Sequence, residues 1–86
     1  MLGGESIPDV RVHIQFTNAD DRRMRVLRYR ILWPGGNKLL EPDDLVIEPH
    51  AERPRTARIG YQDGDPDVLL REPSKVRVEV LSAERL

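Results

Sequence analysis

The chain has 86 residues, no cysteine, and 14 Lys+Arg against 15 Asp+Glu, for a formal charge of −1. That length holds one domain whose single core buries about 60–65 % of the surface the unfolded chain exposes. With 38 % hydrophobic and 34 % charged residues, the composition excludes a disordered tail and a membrane-embedded chain and describes a soluble folded domain. The missing cysteine excludes disulfide staples, thiolate metal sites and thiol nucleophiles.

Met1 to Ser6 carry neither a basic region nor an apolar run, so no signal peptide is visible, and residues 1–8 read as an N-terminal tail. Together with the lack of cysteine this favours a cytoplasmic address. No apolar run approaches the roughly 18 residues that span a bilayer. The domain proper is expected over 9–82, followed by a C-terminal tail over 83–86.

From Val10 to Phe16, apolar Val10, Val12, Ile14 and Phe16 alternate with Arg11, His13 and Gln15, the period of a strand with one wet face. Turn formers in Thr17 to Arg23 lead to a second alternating run, Arg25 to Trp33, in which Leu27, Tyr29, Ile31 and Trp33 share the inward face. These two strands are expected to pair as a hairpin with Phe16 opposite Leu27. Pro34-Gly35-Gly36-Asn37 then reverses the chain into a hairpin through Lys38 to Leu40. After Glu41-Pro42-Asp43-Asp44 an apolar stretch resumes as Leu45-Val46-Ile47, and Arg55 to Ile59 reads as a short strand. Gly60 to Pro73 reads as loop, with a brief strand at Val68-Leu69-Leu70. Lys75 to Val80 closes the pattern, with Val76, Val78 and Val80 on one face.

Seven prolines break the chain into pieces too short for long helices. The sum is five to seven short strands and no helix. An all-β, antiparallel, immunoglobulin-like β-sandwich follows, with a small five-stranded β-barrel as the runner-up.

Catalytic chemistry finds little to build on. The hydroxyls of Ser6, Ser74, Ser82, Thr17 and Thr56 and the imidazoles of His13 and His50 lie in no nucleophile-elbow frame, and Gly35-Gly36 has no phosphate-loop context. The chain is therefore expected to be non-enzymatic and to need no cofactor. The two histidines, without cysteine or a carboxylate at ligand spacing, fall short of a transition-metal site.

Asp63-Gly64-Asp65-Pro66-Asp67 presents carboxylates at alternating positions, as a hard cation such as calcium requires. Asp63, Asp65 and Asp67 are the candidate ligands. Val68 stands where an EF-hand loop needs its turn glycine and Ser74 where it needs its bidentate glutamate. Asp, Gly and Pro also make a plain solvated turn.

Twelve of the 14 basic residues are arginine, five of them between Arg22 and Arg30. With Leu27, Tyr29, Ile31 and Trp33 inward, Val26, Arg28, Arg30 and Leu32 face outward, and the expected hairpin brings Arg11 and His13 alongside. Arginine interleaved with apolar side chains fits a protein interface. A solvated face laced by salt bridges is the plainer reading. Near-zero net charge and inward aromatics count against nucleic acid.

The function expected from the sequence is protein–protein interaction or assembly, with a protein partner or a homo-oligomer, no nucleic acid and no membrane. The alternative is loop-end binding of calcium or a small ligand through Asp63 to Asp67.

Overall fold

The computed structural model describes residues 10–86, so the expected tail over 1–8 lies outside the described residues. The chain is mostly β, arranged as two antiparallel sheets. β1 (Val10–Thr17) pairs with β5 (Glu52–Ile59) along its whole length, from Val10 opposite Ile59 to Thr17 opposite Glu52. Pro54 interrupts the donors of β5 without cost to the pairing, because β5 is an edge strand and its other side carries no partner strand among the described residues.

β2 (Met24–Trp33) is the centre of the second sheet. β3 (Gly36–Leu40) returns along its C-terminal half, with Trp33 opposite Gly36 and Tyr29 opposite Leu40. The two-residue β4 (Val46–Ile47) pairs with Arg25 and Met24. β6 (Arg77–Arg85) runs beside β2 from Leu32 back to Met24 and takes its other edge. The final strand therefore continues through Arg85, where a tail from residue 83 was expected.

The expected hairpin of β1 with β2 does not form: β1 pairs with β5, and β2 with β3, β4 and β6. Asn18, 5 % exposed, shows why the chain leaves the first sheet at this point. Its Nδ2 donates to the carbonyls of Arg22 (2.8 Å), Ile47 (3.0 Å) and Glu48 (3.2 Å), and its Oδ1 accepts from the Asp20 amide (2.9 Å). The side chain bonds backbone carbonyls in its own turn, at the end of β4 and just beyond it, tying the turn after β1 to the C-terminal end of β4.

The inner faces of the two sheets share one core. Val10, Ile14, Phe16, Ala57 and Ile59 come from the first sheet, Val26, Tyr29, Ile31, Trp33 and Ile47 from the second, and Leu45 and Leu69 from the connections. Phe16 and Tyr29 meet edge to face across it, with ring centroids 5.1 Å apart, a contact worth about 0.5–1.5 kcal/mol beyond the area it buries.

The alternation of β2 changes phase inside the strand. Register shifts between Val26 and Arg28 and between Arg28 and Tyr29 mark a β-bulge, so Leu27 and Arg28 both turn outward while Val26 and Tyr29 are buried. The expected inward Leu27 and outward Val26 are thus exchanged, because one extra residue reverses the face of all that precedes it.

The segment expected as loop with a brief strand at Val68 to Leu70 is instead helical, as α1 (Pro66–Arg71) between two 3-10 turns, Tyr61–Asp63 and Pro73–Lys75. Asp65 is its N-cap, accepting from the Asp67 amide at 2.9 Å, and Pro66 occupies the first helical position, where no amide partner is needed. Leu69 and Pro66 bury the helix against the core end.

Candidate partner-binding surface

The β2–β3 turn and the loop before α1 are locked together, which fixes one end of both sheets. The Trp33 indole N–H donates to the Asp65 carbonyl (2.9 Å), the Asp65 amide donates to the Gly35 carbonyl (3.0 Å), and Gly36 bridges Gly64. Gly36 and Gly64 lie so close that a Cβ on Gly36 would stand 2.8 Å from the Gly64 Cα. Gly64 itself has φ 140°, a conformation that only glycine adopts without strain.

That closure assigns work to each carboxylate of the acidic loop. Asp63 accepts from the Gly60 amide (3.1 Å) and pairs with Lys38 (3.5 Å). Asp65 caps α1, and Asp67 accepts from the Tyr61 hydroxyl at 3.4 Å. Burial first, and then the two neighbouring carboxylates, raise the Tyr61 pKa above its ordinary value. The three side chains serve three different partners, and no group of three or more His, Asp or Glu among the described residues stands ready to hold a metal ion.

The outer face of the second sheet is more productive. Arg28 (pairing 3.2 Å to Glu41) and Arg25 (3.1 Å to Glu84) hold glutamates on flanking segments, and Arg30 lies opposite Glu79 of β6. Between them, large apolar side chains stay in water: Leu27 is 38 % exposed, Leu39 45 % and Leu81 43 %. Arg28, Arg30 and Leu32 thus share the mixed face expected of them. Val26 does not, being buried in the core by the bulge.

Arg11 and His13 are also separated from that group. They sit on β1, in the other sheet, where Arg11 faces Arg58 and the His13 Nδ1 contacts the Thr56 hydroxyl at 3.1 Å. The apolar inserts on the arginine face are leucines of three strands, Leu27, Leu39 and Leu81. Sequence alternation hid Leu27, which falls where the β2–β6 register slips, whereas Leu81 lay beyond the strand expected to end at Val80.

An unpaired edge on the first or last strand, open to strand addition, was also expected from the sequence; the cleft beside those edges was not. Among the described residues β1 pairs only with β5 and β6 only with β2, so there the two sheets are open along the side where β1 and β6 face each other. A cleft of about 580 Å³ runs there, lined by Val12, Ile14, Leu69, Pro73, Val76 and Val78 together with Arg11, His13 and Gln15 of β1. A smaller one of about 250 Å³, which includes Phe16, Val26, Val80 and Ala83, lies farther along the same two strands. Val78 and Val80 face the core side yet remain 37 % and 50 % exposed. All nine residues of β6 are exposed.

No family model, no curated protein and no solved structure matches this chain.

Proposed function

We propose that the chain is a non-enzymatic β-sandwich of the immunoglobulin-like kind that works by protein–protein contact, as an assembly module or a small subunit of a larger complex. The observation that carries this reading is the outer face of the second sheet, where Leu27, Leu39 and Leu81 stand in water beside Arg25 and Arg28, each paired with a glutamate, and Arg30, whose buried Nε has no hydrogen-bond partner. Exposed leucines on a rigid sheet gain from being covered, at about 25 cal/mol per Å². Arg25 and Arg28 cost little to dock because their glutamate partners are in place. A formal net charge of −1 also speaks against nucleic acid, which recruits a basic surface. The contact of His13 with Thr56 lies exposed on a sheet face, which does not support a shielded nucleophile.

Charge reversal by Arg28→Glu and Arg30→Glu tests the reading in native cross-linking and light scattering of the whole protein. The expected result is loss of assembly with an unchanged circular dichroism spectrum. A protein that stays monomeric at about 1 mM, the range of very weak association, and that cross-links to nothing refutes it.

A further inference from the structure

β6 is a nine-residue edge strand in which every residue is exposed, and its second edge has no partner strand among the described residues. Long apolar edges are ordinarily covered, because a row of free amides and carbonyls recruits another strand. What distinguishes this edge is its order of side chains. Val76, the extended and partly buried residue just before β6, and the first four residues of the strand, Arg77-Val78-Glu79-Val80, read as valine at every other position with opposite charges symmetric about Val78. Val78 and Val80 lie opposite the buried Ile31 and Tyr29 and so face the core side, while Arg77 and Glu79 lie opposite Leu32 and Arg30 on the outer face.

We propose that β6 pairs antiparallel with β6 of a second copy of this chain about a two-fold axis at Val78. In that register Val78 meets Val78, Val76 meets Val80, and Arg77 meets Glu79 twice, so each face pairs with its own kind. Directly opposed Cβ atoms in such a pair stand about 4.5–5.5 Å apart, close enough for these contacts to count. A two-fold axis normal to the sheet keeps faces together, so the partner register can slip only in steps that preserve the face. The slip on one side sets Arg77 against Arg77, and the slip on the other sets Glu79 against Glu79. Charge therefore selects one register, and the interface is isologous, as a two-fold dimer requires.

The same pairing answers the open side of the fold. The partner's Val76, Val78 and Val80 arrive on the core side of the sheet, next to the cleft between β1 and β6 that Val12, Ile14 and Val78 line. Each copy covers the other's exposed valines, and the two second sheets join into one. A formal charge of −1 per chain offers little bulk repulsion to the association.

This inference rests on the reading of the chain as an assembly module and names its partner. Its test uses two charge variants of the full chain, Arg77→Glu and Glu79→Lys, in sedimentation equilibrium up to about 1 mM, with thermal melts to report the fold. Each variant alone sets like charges against each other at both cross-strand positions, and its dimer is expected to weaken on the order of tenfold. An equimolar mixture of the two restores attraction at both positions and is expected to form the heterodimer with near wild-type affinity. Amide exchange over residues 76–80 should slow with concentration in the wild type.

A dimer that is indifferent to both variants but lost in Arg28→Glu with Arg30→Glu overturns the β6 pairing and leaves the module reading standing. A wild-type monomer that binds a different protein does the same. A monomer with no partner at all overturns both.

Discussion

Asn18→Ala measures how far one buried amide organises the crossing between the sheets. The amide group makes four hydrogen bonds, three as donor and one as acceptor, of which the one to the Ile47 carbonyl is buried and the others are partly reached by water. Stranding a buried carbonyl costs about 1–3 kcal/mol, and each replaceable bond contributes about 0.5–1.5 kcal/mol, less where water takes over. The expected loss is about 2–4 kcal/mol. For 86 residues total stability is about 4–13 kcal/mol, so the variant gives up a large share of it, and its melting temperature should fall by about 10–25 °C. Urea and thermal unfolding followed by circular dichroism read this directly. Asn18→Asp sharpens the comparison: the acceptor toward the Asp20 amide survives, but a carboxylate faces three carbonyl oxygens. It should be at least as damaging as alanine at neutral pH, and protonation in acid should return part of the loss. A decrease below about 0.5 kcal/mol for the alanine variant, the range of ordinary surface substitutions, would refute the role assigned to this side chain.

The locked end of the sheets yields two further expectations. Trp33→Phe removes the bond to the Asp65 carbonyl and should cost about 1–3 kcal/mol in chemical denaturation. Gly36→Ala forces a Cβ against the Asp63 carbonyl and the Gly64 Cα, and overpacking of backbone should cost about 1–3 kcal/mol. Burial raises the Tyr29 pKa above its ordinary value near 10.0, with Arg55 pulling the other way. The unfolded chain therefore ionises first, and this stabilisation is complete below about pH 10 and lost as pH rises through the folded value. Tyr29→Phe should flatten the alkaline limb of a stability–pH curve, and an unchanged limb would remove Tyr29 as its source. Glu41→Gln, which discharges the exposed partner of Arg28, should change stability by less than about 1 kcal/mol in the same assay.

The strands were legible because their cause is periodic. Val10 to Phe16, Arg25 to Trp33 and the valines from Val76 to Val80 alternate, and alternation is a property of the chain itself. The Pro34-Gly35-Gly36 turn was legible for the same local reason. Pairing was not, because it joins segments far apart in the chain, as Val10 opposite Ile59 and the bonds of Asn18 to the Ile47 and Glu48 carbonyls do, and no local pattern records such contacts. α1 is six residues long, too short to show a helical period. Its signal was the Asp65-Pro66 cap, which reads equally well as a turn.

The arginine face shows how a single bulge redistributes a candidate site. Strict alternation makes Val26 and Arg28 neighbours on the outer surface and sends Leu27 inward. Adding one residue to the β2 ladder at Leu27 reverses both assignments while leaving Arg28, Arg30 and Leu32 where they were. The surface thereby exchanges a valine for a larger leucine, and the core gains a β-branched residue that packs well on a pleated face. The slip has its counterpart in β6, where Ser82 is placed opposite the outward Arg28 and Ala83 opposite Val26. Residues 76–80 lie before that slip and keep strict alternation, and they are the part of the edge whose valines and charges are symmetric. Regular pairing with a second copy needs an uninterrupted pleat, so the bulge that spoils the C-terminal half of β6 for that purpose also confines the match to Val76 through Val80.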